Sequence, residues 1–427
     1  IVANASDARR LLEEIPWFDS ETDEPLRCHL LPDWETLPYD SFSPHQDLVS
    51  QRLATLYEVH NGRCDVLIVP ASTALLRIAP PSFLAAHTFF FKQGETLDEE
   101  KLRAQLTIAG YNHVSQVMSP GEYSVRGGLI DLFPMGSNLP YRIDLFGDTI
   151  ETIRTFDADT QRSLYPVREI RMLPGREFPM DEQSRAFFRS RWREVFEGDP
   201  TLSVIYRDIA SGIASAGIEY YLPLFFEETA TLFHYLPENA IFALIGNTSE
   251  AFQRFWADTQ SRYNFLKSDR ERPLLPPEKL FLSSEDFFVL AQPFGRWVIT
   301  SDDAPSELSA PIPDVTVNRR ADDPLASLRS YIERAGKRVL ICAESPGRRE
   351  TMQQLFNEYD LKVTACTGFA DFITHTETVM FCAPTDCWDS DTASRRCRRS
   401  RRQRSSAPTI SVSTPSSRSK IRSDQRF

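Results

Sequence analysis

The sequence predicts an α/β and α+β multidomain protein, and three observations predict it. A helical apolar pattern over Asp47 to Val59 leads into a short apolar run, Asp65 to Pro70, of the buried-strand type. Between Gly121 and Asp148 the residues alternate in polarity as an antiparallel meander does. After Asp181 the period changes, and aromatic residues recur at helical spacing. A chain of 427 residues, 41% hydrophobic and 25% charged, has room for roughly two to four globular domains.

Taken in order, residues 1–85 read as α/β, with Leu48, Leu53, Leu56 and Val59 as the apolar stripe of the first clear helix. The pattern changes near Pro80-Pro81, and residues 86–173 read as mainly strands, with Gly147-Asp148 as a turn signal. Residues 174–277 turn helical. Asp181 caps a helix carrying Phe188, Trp192, Val195 and Phe196, which Gly198 and Pro200 stop. That spacing belongs to core packing rather than to a stacking platform for bases. Ile241 to Ile245 is a strand, followed by a helix with Phe252, Phe255 and Trp256. The proline-rich stretch from Ser301 to Pro324 reads as an exposed linker, and the stretch assigned to the linker between domains is 313–336. A further small α/β unit spans 337–384: a strand at Arg338 to Cys342, a helix from Ser345-Pro346 to about Tyr359, and a strand at Leu361 to Ala365. Residues 385–427 have the composition of a basic tail, disordered or aberrant.

Composition excludes several classes. No run of about 18 apolar residues exists to span a membrane. The start, Ile1-Val2-Ala3-Asn4, has no secretory pattern, and the missing initiator Met points to a fragment or a processed start. The seven cysteines form no CxxC pair and read as free thiols of a reducing cytoplasm; His29 beside Cys28 does not make a metal site. Residues 385–427 hold 11 Lys/Arg and 4 Asp/Glu, leaving 37 basic against 56 acidic in residues 1–384. A body that acidic repels a phosphate backbone, so duplex DNA binding by bulk charge is not expected.

Catalytic signatures are lacking too. An ATP-driven motor needs a Gly-rich turn with a Lys for the phosphates and a Ser/Thr for magnesium, and no GxxxxGK[ST] occurs. Gly246-Asn247-Thr248-Ser249 follows a strand and opens a helix, but lacks the Lys and second Gly, so it reads as a cap. Asp302-Asp303 and Asp322-Asp323 have no metal or base partner in view. No catalytic, cofactor or metal-ligating residue is assigned.

The meander offers a different kind of site. Alternation places Tyr123, Val125 and Leu129 on one side and Arg126 on the other; in the next strand Tyr141, Ile143 and Leu145 oppose Arg142, Asp144 and Phe146. Phe146 thus falls among charges, as at a protein-binding surface, where aromatic and Arg residues are enriched. The plain alternative is a sheet covered on both faces, with Phe146 in the core and the arginines solvated or paired with Asp131 and Asp144.

The run VRGGLIDLFP, the following YRIDLFGDTIE and Phe156-Asp157 resemble the second domain of UvrB-type excision repair proteins. They are closer still to the matching module of the Mfd family of bacterial transcription-repair coupling factors. Leu31 to Asp40 with Phe42-Ser43-Pro44, Val66 to Thr73, and Gly217-Ile218-Glu219-Tyr220-Tyr221 carry the likeness over about residues 1–384. The resemblance implies a helicase-like α/β first domain (1–85 plus 278–312) with a degenerate nucleotide site, a β-rich UvrA-docking domain (86–173) and a helix-rich UvrB-like subdomain (174–277). It implies that Arg126, Arg142 and Phe146 are the UvrA-binding residues. RNA polymerase, duplex DNA, ATP and magnesium would be engaged by later domains of the full-length family, in the cytoplasm. Three other readings stay open: a UvrB-like damaged-DNA-binding protein, an enzyme whose nucleotide loop lies upstream of Ile1, and a nucleic-acid-binding module acting through the basic tail.

Overall fold

A computed structural model describes residues 1–19, 24–299, 313–318, 320–343, 345–383 and 411–413. The chain divides into two compact units, one of Ile1–Arg10 with Arg27–Thr300 and one of Leu11–Leu26 with Ser301–Phe427. Among the described residues no helix is long and apolar enough to cross a membrane.

The first unit is built around parallel pairing. Cys28–Leu30 pairs with Val66–Ile68, and Ile241–Ile245 with Gly295–Ile299. Val2 joins the two pairs, bridging both Pro70 and Ile245. The strand at Ile241–Ile245, which the sequence groups with the helix-rich segment, therefore extends the sheet of the N-terminal α/β region. The helix Gln46–His60 packs here and buries Val49, Leu53, Leu56 and Val59. Val49 stands where the apolar stripe was expected to carry Leu48, which is only half-buried. Arg52 is also buried on this helix, because Glu177 meets its Nε at 2.6 Å and the Pro32 carbonyl accepts from its guanidinium at 2.8 Å.

The helix Glu182–Val195 starts where Asp181 accepts a bond from the Ser184 amide at 3.0 Å. Phe188 and Trp192 are buried as their spacing predicts, but Val195 is exposed because the helix ends there and Phe196 continues in extended conformation. Trp192 stacks on Tyr221 with ring centroids 5.6 Å apart. Tyr220, in the same short 3-10 helix (Ile218–Leu224), donates to the Leu37 carbonyl at 2.7 Å. Both tyrosines are structural.

Six strands form a separate sheet in this unit: β1 (Asn112–His113), β2 (Glu122–Arg126), β3 (Leu129–Phe133), β4 (Tyr141–Phe146), β5 (Thr149–Phe156) and β6 (Ser163–Val167). From β2 to β6 every neighbouring pair is antiparallel. One face carries Tyr123, Ile130, Leu132, Ile143, Ile150 and Ile153 into the main core.

In the second unit, Val339–Cys342 pairs in parallel with Val379–Cys382, which also pairs with Thr364–Ala365. Ser345 caps the helix Pro346–Glu358 by accepting from the Arg348 amide. The 313–336 segment, expected as linker, contains the helix Ala326–Ala335. Val315, Leu325 and Leu328 are buried in the core of the small sheet, an apolar spacing that the prolines upstream obscure. Within the expected tail, Ser411–Ser413 pairs antiparallel to Val339–Cys342, so those three residues are not irregular. The rest of 385–427, and Asp302-Asp303, lie outside the described residues.

Candidate functional site

The site is the second face of the six-stranded sheet, and register decides its membership. Arg126 stands opposite Leu129, Ser124 opposite Asp131, Asp131 opposite Arg142, and Arg142 opposite Arg154. Directly paired residues share a face, so Ser124, Asp131, Arg142 and Arg154 lie in a row across four strands, with Arg126 on the same face two residues along β2 from Ser124. Leu129 belongs to this face too, contrary to simple alternation, because the turn at Gly127-Gly128 pairs it with Arg126 and so resets the count. Gly127 has a positive φ of 61°, which suits glycine. A side chain at Gly128 would meet the Leu145 carbonyl oxygen at 3.1 Å.

The row is organised around one carboxylate. Asp131 is buried on an interior strand and accepts from Arg142 Nε at 2.7 Å, from a second Arg142 nitrogen at 2.9 Å, and from Arg126 at 2.8 Å. Arg142 also donates to the Gln161 carbonyl at 3.2 Å and lies over the Phe156 ring at 4.8 Å. The bond to Asp131, with the charges of Asp131 and Asp144, holds its guanidinium above the ordinary arginine range against the cost of burial. Asp144 is engaged elsewhere on the face, by the Thr152 hydroxyl at 2.7 Å. The side chains of Arg142 and Arg126 are 17% and 54% exposed, so the first is braced in the sheet and the second reaches out.

Phe146 ends β4 at the Gly147 turn and is 79% exposed. A register shift between Asp144 and Leu145 precedes it, and Leu145 turns to the core side opposite Ile150. The alternative holds for the arginines, both paired with Asp131, and fails for Phe146 on this exposure. An apolar ring in water on one face with fixed guanidiniums is the residue combination enriched at protein interfaces. All three residues singled out in the sequence therefore share one face. Pairing with Asp131 was expected only as the alternative, and Arg154 and the ring of Phe156 under Arg142 were not singled out; the tertiary structure brings these last two to the site.

The Gly246 turn has no comparable fit to a nucleotide phosphate. Gly246 adopts φ +73°, the following helix Thr248–Leu266 begins at Asn247 without a side-chain capping bond, and no Lys stands in the turn. The run Gly246-Asn247-Thr248-Ser249 thus opens the helix as expected of a cap, but through its turn and without a side-chain bond. Asp323 is paired with Arg329 at 3.2 Å and accepts from the Leu325 amide, so it serves the fold. Among the described residues no group of three or more His, Cys, Asp or Glu is placed to hold a metal ion.

A β-meander with an arginine and aromatic face, carried on an α/β body, defines a protein-docking module. Comparison with known families agrees: a family model described as the UvrB interaction domain matches residues 89–178, and one described as the MFD D3 domain matches residues 331–387. The chain is 43% identical over 342 residues to the transcription-repair-coupling factor of Haemophilus influenzae, covering 78% of this chain and 30% of that protein. It is 42% identical over 362 residues to that of Escherichia coli, covering 83% and 31%. The factor of Myxococcus xanthus is 30% identical over 268 residues, covering 60% and 22%. The chain is part of the transcription-repair-coupling factor family, carrying its UvrB-interaction module and D3 domain and spanning about a third of its relatives' length.

Proposed function

We propose that this chain acts in transcription-coupled nucleotide excision repair by recruiting UvrA through the outer face of its six-stranded sheet, with Arg126, Arg142 and Phe146 as the binding residues. The observation that carries the reading is Phe146, 79% exposed on the same face as guanidiniums held by a buried carboxylate. UvrA then contributes carboxylates to the arginines and an apolar pocket to the ring. In the intact family protein, ATP and magnesium drive later domains along duplex DNA against a stalled RNA polymerase, in the cytoplasm. This chain contributes the docking function and uses no cofactor of its own.

A titration of UvrA against wild type and Phe146→Ala tests the reading. Loss of an exposed hot-spot ring costs on the order of 2 kcal/mol, about 30-fold in Kd. Equal affinity for the two proteins, with the fold intact, refutes the assignment.

A further inference from the structure

We propose that Arg154 is a further contact residue of the docking face, with a guanidinium freer to take a partner carboxylate than that of Arg142. This inference rests on the UvrA-docking reading above. The cross-strand register puts Arg142 and Arg154 directly opposite each other on β4 and β5. Their environments differ completely. Arg142 is mostly covered, bound twice by Asp131, once by the Gln161 carbonyl, and laid over Phe156. Arg154 is exposed, and among the described residues no carboxylate or carbonyl engages its guanidinium.

Two like charges directly opposite on neighbouring strands destabilise a sheet, and the acid on this row already serves Arg142 and Arg126. A carboxylate arriving from outside relieves the repulsion at Arg154. Arg142 has less to offer it, since Asp131 takes two of its bonds and the Gln161 carbonyl a third. Position fits as well. Arg154 is opposite Arg142, four residues along β4 from Phe146, or roughly 14 Å, well inside a patch of about 800 Å² per partner. Beyond it, on the edge strand β6, Leu164 is 49% exposed and Pro166 pairs with Arg154, extending the apolar surface past the arginine. The partner surface that fits is therefore acidic opposite Arg154 and Arg126 and apolar opposite Phe146. An unneutralised guanidinium is notable on a chain whose formal net charge is −12.

The test is a UvrA titration of the full 427-residue chain as wild type, Arg154→Glu, Arg154→Gln, Arg154→Lys and Phe146→Ala, at about 50 mM and about 500 mM salt. Urea unfolding of each protein controls for the fold. The expected result is an affinity loss of about tenfold or more for Arg154→Glu at low salt, narrowing to about threefold at high salt, mainly through the association rate. Arg154→Gln falls between, Arg154→Lys stays close to wild type, and the Arg154→Glu and Arg154→Gln proteins unfold at or slightly above the wild-type midpoint as the like-charge pair is removed. If Arg154→Glu and Arg154→Gln bind as wild type does while Phe146→Ala is weakened, Arg154 is not a contact and this inference falls alone. If the wild-type chain does not bind UvrA, the docking reading falls and takes this inference with it.

Discussion

Replacing Arg142 with alanine removes two of the three charge-assisted bonds that reach Asp131, a side chain only 1% exposed. Removing one member of a buried ion pair costs about 3–5 kcal/mol, because the other charge is left without compensation. Here Arg126 remains within 2.8 Å and is itself half in water, so compensation is partial and the lower end applies. Loss of the guanidinium from the Phe156 ring adds about 0.5–1 kcal/mol. The sum is about 3.5–4 kcal/mol. Urea unfolding followed by tryptophan fluorescence measures it, and with a slope near 3 kcal/mol/M the midpoint falls by about 1.2 M. The double change Asp131→Leu with Arg142→Met recovers much of the loss, since no buried charge then lacks a partner. A midpoint for Arg142→Ala within about 0.2 M of wild type refutes the claim that Asp131 braces this face.

Three further outcomes follow from the same geometry. Phe146→Ala leaves the unfolding free energy within about 0.5 kcal/mol of wild type, because the ring is in water; a larger loss means that it packs on the fold. Trp192→Ala costs about 3–5 kcal/mol, since the indole is 1% exposed and stacked on Tyr221, and a loss below about 1 kcal/mol in the same unfolding assay contradicts that packing. Burial pushes the Glu219 carboxyl up to about 7, against the bond it accepts from Ser43. Between about pH 4.3 and 7 the folded state then keeps a proton that the unfolded chain has released, so this group's contribution to stability declines as pH rises through that window. Glu219→Gln accordingly gains on wild type above pH 7, and the gap closes toward pH 5; unfolding midpoints at four pH values that show a constant gap overturn the sign.

The local segments were legible because periodicity is a property of neighbouring residues. The helix at Gln46–His60, the Asp181 cap, the strands at Ile241–Ile245 and Val339–Cys342, and the placement of Arg126, Arg142 and Phe146 opposite the apolar side of their strands all follow from spacing. What spacing could not supply is pairing across distance. Val2 joining Pro70 to Ile245, and Arg52 meeting Glu177, depend on residues far apart in the chain. The helix Ala326–Ala335 was hidden by prolines whose influence stops short of it. Leu129 was set on the wrong side because a two-residue turn re-pairs the strands after it. The sequence by itself determined which residues alternate and which aromatics stack along a helix, since side-chain direction repeats with the backbone. Only the tertiary structure decided that Asp131 is shared by two arginines, that Phe146 stays in water and that Arg154 has no acid partner among the described residues, because hydrogen-bond register between strands sets who faces whom.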